Sequence, residues 1–284
     1  MAGLRRLTEA DADQALELST AEGWNQTKDD WLFLIRNAEN VCLAFEVDRA
    51  VVATATAIVY QKELAWIGMV LVHQQHRGKG YSKLLFSKLL ETVDFTKFIQ
   101  LDATPAGLPV YKKFGFKTGG EIYRMVLERT EYNHSFMQDL PEANSFFDHS
   151  ISELIEYDLK IYGVNRSVLI EYLISTYPDL VRVLKDEDQV SGYLLGRKGM
   201  RFLHLGPLIA SGVEVAKALL INVLSIYKSQ PVVVDISEIQ IELKEWLENL
   251  GFVESRYFHR MYLNEPFVEG NLSKQFLISG PEFG

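Results

Sequence analysis

Apolar positions along this chain switch between two spacings. In some stretches they recur every three to four residues, as at Leu84, Leu85, Leu89 and Leu90, which predicts an amphipathic helix. In others they alternate or run in β-branched blocks, as in VVATATAIVY at 51–60, which predicts strands. The order of the two patterns repeats. Helical spacing covers about 8–20 and 28–38, then about 145–160 and 166–176. Each helical pair is followed by two strands around an acidic turn, at 41–60 and at 180–197. A strand feeding a helix comes next, 64–72 into 82–93 and 201–209 into 215–227. A further strand (97–103, 231–237), a short helix ending at Gly-Phe and a last strand (121–128, 256–263) complete both runs. Helices interleaved with strands predict α/β layers.

The letters repeat as well as the pattern. GFKTGGEIYRM at 115–125 and GFVESRYFHRM at 251–261 share Gly-Phe, seven residues, then Arg-Met, at an offset of 136. Gly23-Trp24-Asn25 and Gly163-Val164-Asn165 echo each other at an offset of 140. A unit of that length is a domain, not a solenoid repeat. We therefore expect a tandem duplication with domains 1–130 and 131–284. The linker falls near TEYNHSFMQDLPEAN, which is polar and carries Pro141. The segment from Asn264 onward, with Pro266, Gly270, Gly280, Pro281 and Gly284, is expected to pack irregularly on the body.

Composition narrows the class. The 284 residues are 48% hydrophobic, enough for two cores and unlike a disordered chain. The net charge of −9 is uneven. Residues 1–130 carry 16 Lys+Arg and 16 Asp+Glu, while residues 131–284 carry 13 and 22. An acidic half repels phosphate backbones, so nucleic acid is not an expected partner. It suggests instead an acidic face turned toward a cationic acceptor. No apolar run has the ~20 residues of a membrane helix, and the start of the chain lacks the apolar core of a secretory signal, so a cytoplasmic location is expected and no membrane partner. The single cysteine, Cys42 in VCLAF, reads as a buried core thiol.

The chemistry concentrates in VLVHQQHRGKGYSKLL at 70–85, where a strand ends near Val72 and a helix begins after Gly80. Two glycines in such a turn permit backbone conformations that a Cβ opposes. The free N–H groups of the helix's first turn attract an anion, and Arg77 and Lys79 add positive charge. The turn suits a pyrophosphate. It lacks the patterns of the triphosphatase loop and of the dinucleotide fold, since position 83 is Lys. Metal-ligand spacing is absent: His73 and His76 lie in a loop without a carboxylate nearby in sequence.

At Gln75, Gly78 and Gly80 the chain resembles the GNAT superfamily of N-acetyltransferases, whose signature Gln/Arg-x-x-Gly-x-Gly/Ala lies between the fourth strand and third helix. A second signature of that family, a Tyr four residues before Gly-Phe, is matched by Tyr111 and Gly115-Phe116. The resemblance covers roughly residues 1–130. It implies an α/β fold in which each half is a mixed, mostly antiparallel sheet flanked by helices. It also implies transfer of an acetyl group from acetyl-CoA, as co-substrate, to a small-molecule or peptide amine that attacks the thioester directly. In the second half, Val213 and Val215 stand where Gly78 and Gly80 do, and Leu247 replaces Tyr111. The chain thus resembles tandem GNAT proteins with one active and one degenerate domain. A non-catalytic acyl-CoA sensor is the alternative.

The resemblance assigns roles residue by residue. Val70, Leu71, Val72, Gln75, His76, Arg77, Gly78, Lys79, Gly80, Tyr81 and Ser82 would hold the coenzyme, with backbone N–H groups of the strand polarising the thioester. Tyr111 would protonate the leaving thiolate. Thr104 stands where the family often carries Asn, which puts one contact to the coenzyme arm in doubt. For the base, Asp102 is the first candidate, then Glu22, His73 and Glu63, with a water chain as the alternative. Glu22, Trp24 and Asn25, in the loop AEGWNQTKDD, are the candidate acceptor-binding residues, and Thr27 with Asp30 predicts a capped helix after that loop.

Overall fold

The computed structural model describes residues 2–128, 144–145, 151–267 and 270–284. The expected linker lies outside them except for Asn144. In the first half the order is β1 (Ala2–Arg6), α1 (Ala12–Ala21), α2 (Lys28–Arg36), β2 (Val41–Val47), β3 (Ala50–Tyr60), β4 (Leu64–Val72), α3 (Tyr81–Val93), β5 (Phe98–Ala103), α4 (Leu108–Lys112) and β6 (Lys117–Leu127). Then follow β7 (Asn144–Ser145), α5 (Ile151–Tyr162), α6 (Ser167–Thr176), β8 (Arg182–Asp186), β9 (Gln189–Lys198), β10 (Leu203–Ala210), α7 (Val213–Ile226), β11 (Val232–Ser237), α8 (Ile241–Asn249), β12 (Val253–Leu263) and β13 (Gln275–Leu277).

Local chemistry sets several boundaries. The hairpins β2–β3 and β8–β9 turn through Asp48-Arg49 and Glu187-Asp188, all four with positive φ (49° and 69°, 46° and 65°), as tight two-residue hairpins require. Thr27 caps α2 as expected: its hydroxyl accepts from the Asp30 N–H at 3.3 Å, and the Asp30 carboxylate accepts from the Thr27 N–H at 2.8 Å. No helix among the described residues is long and apolar enough to cross a membrane.

The strands form one sheet of 13 in the order β1-β2-β3-β4-β5-β12-β6-β11-β13-β10-β9-β8-β7. Its centre is an exchange. The long strand β12 of the second half pairs antiparallel with β5 of the first, and β6 pairs with β11 of the second. The two exchanged strands also pair with each other. A division at 130/131 follows the repeat in the chain, but the hydrogen bonding crosses it.

The exchange explains the repeated Arg-Met. Arg124 on β6 donates two bonds to Asp235 on β11, at 2.8 and 2.7 Å. Its counterpart Arg260 on β12 donates two to Asp102 on β5, both at 2.9 Å. Each repeat arginine clamps a strand of the other half, and bidentate geometry fixes register as well as charge.

Packing follows the two sheet faces. On one, α3 lays Leu85, Phe86, Leu89 and Val93 against Ala53, Ala55 and Ala57. A second cluster runs from Trp31 and Leu34 of α2 through α5, α6 and α7, so both halves share one core. Across it Phe33 stacks on Tyr172 at 4.2 Å between ring centroids. Cys42 is the buried thiol expected, its pKa pushed up to about 12 by burial.

The terminal segment packs on the body and adds one short strand to the sheet. Residues 275–277 form a strand, and Phe276, Leu277, Ile278, Ser279, Glu282 and Phe283 are buried. Beyond β13 the chain crosses into the first half. The Tyr60 hydroxyl donates to the Phe283 carbonyl at 2.6 Å, and Trp66 Nε1 donates to the Pro281 carbonyl at 2.9 Å. A Cβ at Gly284 would stand 2.6 Å from the Trp66 ring, so the small residue permits this contact.

Candidate active site

The cleft begins where β4 and β5 part. They pair in parallel from Leu64↔Phe98 to Ile67↔Leu101 and no further. At that point β4 bulges: its register against β3 shifts between Thr54 and Thr56, and Met69 has φ +51°. A bulge bends its strand and re-aims it. From Val70 onward the β5-facing edge of β4 has no strand partner, leaving its main-chain groups toward an open wedge.

The second half opens the same wedge and then closes it. There β10 pairs in parallel with β11 only at Leu203–Leu205 and Val232–Val234. The gap beyond is filled by β13, which bonds to β10 at Leu208↔Leu277 and to β11 at Ile236↔Leu277. A segment of the chain thus lies where an extended ligand would. The turn before α7 is also changed: Gly212 is extended (φ −165°), Val213 opens the helix, and Leu247, opposite Tyr111 in the repeat, is fully buried.

In the first half the wedge leads to the glycine turn. Gly78 (φ +77°) and Gly80 (φ +82°) are left-handed, and Gly80 precedes the first residue of α3. A Cβ at either would meet nothing within 4 Å, so the backbone angle, not crowding, requires glycine here. The loop therefore presents the first-turn N–H groups of α3 to open space, a cradle for an anion. His76, Arg77, Gly78, Gly80, Tyr81 and Ser82 line the cleft of about 1310 Å³. Gln75 faces a neighbouring hollow beside Leu18 and Ala21 instead, and Lys79 lies on the exposed side of the turn. Burial, with Lys79 and His73 nearby, lowers the His76 pKa.

The far wall is α4 and the turn before it. Thr104 accepts from the Gly107 N–H through its hydroxyl at 3.2 Å, so this substitute for the family's Asn starts the turn. Gly107 makes room for Tyr111: a Cβ there would lie 3.0 Å from the ring. Tyr111 packs beside Phe86, at 5.0 Å between ring centroids. Burial pushes the Tyr111 phenol up to about 12.

Past Tyr111 the cleft continues into a cavity between the halves. The two hollows share Trp24, Val70, Thr104, Gly107, Tyr111 and Arg256. The inner one adds Gln26, Asp102, Arg124, Phe258, Pro281 and Glu282. Sequence reasoning missed most of these. Arg256 and Phe258 arrive with the exchanged strand, and Pro281 and Glu282 with the terminal segment.

Several candidates are placed elsewhere. Glu22 ion-pairs with Arg77 on the wall of the outer cleft, not in the inner cavity. Asn25 is buried and spent: its Oδ1 accepts from the Arg201 and Phe202 N–H groups, both at 2.9 Å, and its amide donates to the Phe202 carbonyl at 3.0 Å. It ties the loop to the second half and does not line the inner cavity. Trp24 does line both hollows. His73 accepts from the Gln75 N–H and caps its own turn. Glu63 lies before Leu64, at the opposite end of β4 from the glycine turn, about 25 Å away by strand geometry. The acidic face expected toward the acceptor is also corrected, because the charged cavity residues from the second half are Arg256 and Glu282.

Known proteins share this arrangement. Residues 5–116 match a model of the acetyltransferase (GNAT) family, and residues 154–277 match an acetyltransferase (GNAT) domain. The chain is 31% identical over 193 residues to an uncharacterized N-acetyltransferase, YitH, of Bacillus subtilis, a match covering 66% of each chain. It is 28% identical over 272 residues to a holothin acyltransferase of a Pseudoalteromonas species, covering 94% of this chain and 90% of that one. A crystal structure described as an acetyltransferase from Pyrococcus horikoshii superposes with a TM-score of 0.84 at 20% identity, over 100% of this chain and 96% of that one, which speaks to the fold. With a family match in each half and the open wedge, glycine turn and tyrosine in the first, the chain belongs to the GNAT acetyltransferase family as a tandem of two GNAT domains.

Proposed function

We propose that the first half transfers an acetyl group from acetyl-CoA to a primary amine, by direct attack with both substrates bound. The observation that carries this reading is continuity. The glycine turn, the unpaired edge of β4, Tyr111 and the inner cavity border a single passage. A diphosphate fits the turn, an extended arm fits the wedge, and the thioester end then lies beside Tyr111. The descriptions of one relative as an uncharacterized N-acetyltransferase and of another as a holothin acyltransferase support this reading.

Each residue then has a task. The Gly78–Gly80 turn and the start of α3 hold the diphosphate. Free N–H groups after the Met69 bulge polarise the acyl oxygen as negative charge builds on it; one such donor is typically worth ~3 kcal/mol. Tyr111 holds the proton that the departing thiolate takes. The amine must lose a proton before attack, and the described carboxylates that line the inner cavity, Asp102 and Glu282, are both ion-paired. Asp102 lines the cavity, and burial raises its pKa against the pull of Arg260. Both its oxygens, however, accept from Arg260, as Asp235 does from Arg124 in the half whose wedge is filled. We therefore read Asp102 as a strand clamp and water as the route for the proton.

The pH profile follows from Tyr111. An acid works while protonated, and a phenol raised to about 12 stays protonated through the neutral range. We expect kcat/KM to rise with pH as the acceptor amine deprotonates, and to show no descending limb below about pH 10. A fall centred near pH 9 would assign the proton to another group.

Calorimetric titration with CoA, followed by thiol release across a panel of amines, tests the proposal directly. Gly78→Val and Gly80→Val should each weaken CoA binding about tenfold or more, because a β-branched residue is strained at positive φ by about 1–3 kcal/mol and the turn must change shape. Intact CoA affinity in both variants would remove the cradle. Tight CoA binding in the parent protein with no thiol release for any amine would leave a coenzyme-binding protein and remove the transfer step.

A further inference from the structure

The inner cavity holds two polar groups that the transfer chemistry does not use. One is Arg256. It follows a bulge in β12, where Glu254 lies opposite Met125 and Arg256 opposite Arg124, so Ser255 is the extra residue. Bulges re-aim side chains, and here the result is a guanidinium on the walls of both the cavity and the coenzyme cleft. Arg256 has no ion-pair or hydrogen-bond partner among the described residues. The other charged groups lining the cavity are engaged: Arg124 by Asp235, Asp102 by Arg260, and Glu282 by Arg197. Arg201 borders the adjoining hollow with Arg256. Partial burial and the Arg124 charge lower the Arg256 pKa against the pull of Asp235, a carboxylate already clamped by Arg124.

The second group is Gln26, only 4% exposed. Its Oε1 has no hydrogen-bond partner among the described residues, and it lines the cavity together with Glu282. A buried carbonyl oxygen left unpaired is costly, and an N–H donor entering the cavity would satisfy it.

Resting on the transfer reading above, we propose that the acceptor is a primary amine bearing a carboxylate, of the amino-acid class, whose carboxylate is bound by Arg256 and whose N–H face meets Gln26. Arg pairs with carboxylate through two parallel bonds, which adds geometric selection to charge. The second half, though its own wedge is filled, would then select the acceptor for the first.

The test uses matched pairs differing only by the carboxylate: lysine against cadaverine, phenylalanine against phenethylamine, β-alanine against ethylamine. Thiol release with acetyl-CoA and calorimetric binding to the CoA-loaded protein are both measured. At least one carboxylated member should be preferred by about tenfold or more over its partner, the scale of a charged hydrogen bond. In Arg256→Gln that ratio should fall to near one, mainly through KM, and Arg256→Lys should restore part of it. Binding of carboxylated members without thiol release would support the anion site and remove the transfer reading. Turnover favouring the plain amines, a preference that survives in Arg256→Gln, or failure of every carboxylated member to bind would overturn the proposal.

Discussion

Tyr111→Phe is expected to lower kcat by about a hundredfold or more while leaving CoA affinity within about twofold, since a positioned acid is typically worth ~10²–10⁴ in rate. The change removes one oxygen and keeps the ring. The ring's contacts include Phe86 and Phe116, at 5.0 and 6.3 Å between centroids, and its hydroxyl has no hydrogen-bond partner among the described residues. Packing and stability should therefore hold. A thiolate whose conjugate acid has pKa near ~8.5 is a workable leaving group, so the loss is large without being total. An acceptor amine of lower pKa should not rescue the variant, because its defect lies at the leaving group. Rapid-quench measurement of acetyl transfer separates this from slow product release. Unchanged single-turnover rates would remove Tyr111 as the acid.

The parts of this site that were legible in the sequence are those whose geometry is local. Gly78 and Gly80 announce a left-handed turn because few other residues accept that backbone angle, and Tyr111 stands at a fixed distance from Gly115-Phe116. The loss of both signals in the second half was equally plain. The exchange of β6 and β12 was not readable, because the two strands carry the same repeat letters and satisfy either neighbour; only the pairing of Arg260 with Asp102 and Arg124 with Asp235 distinguishes them. Arg256 reaches the cavity through that exchange and a one-residue bulge, neither of which leaves a mark in composition. The glycines and prolines after Asn264 read as irregular packing on the body, and Gly280 (φ +117°) and Gly284 (φ +87°) let that segment turn and lie against Trp66. Asn25 and Glu22 were read for chemistry, but one holds the halves together and the other pairs with Arg77.

Arg197→Met should cost about 3–5 kcal/mol of stability, the usual result of removing one partner from a buried ion pair. Arg197 lies on β9 with its side chain 1% exposed. It bonds Asp30 of α2 at 2.8 Å, Glu282 of the terminal segment, and His204 at 3.0 Å. One guanidinium thus joins the first half, the second half and the chain that floors the cavity. Methionine fills the space but leaves two buried carboxylates facing each other. Burial already raises the Asp30 pKa against the pull of Arg197, so without that cation its folded pKa must climb further. A carboxyl whose folded pKa lies above its unfolded value favours folding when protonated. That contribution is fully present below the unfolded pKa and is lost as pH rises through the folded one. The deficit in Arg197→Met should therefore shrink on acidification from pH 7 toward pH 5, the opposite of ordinary acid destabilisation. Adding Asp30→Asn and Glu282→Gln should recover much of the loss and flatten its pH dependence, because neutral groups need no counter-ion. Urea unfolding of the three proteins at pH 5 and pH 7 measures this. Equal midpoints for Arg197→Met and the parent at pH 7 would show that the network does not hold the halves together, and the cavity floor at Pro281 and Glu282 would need another anchor.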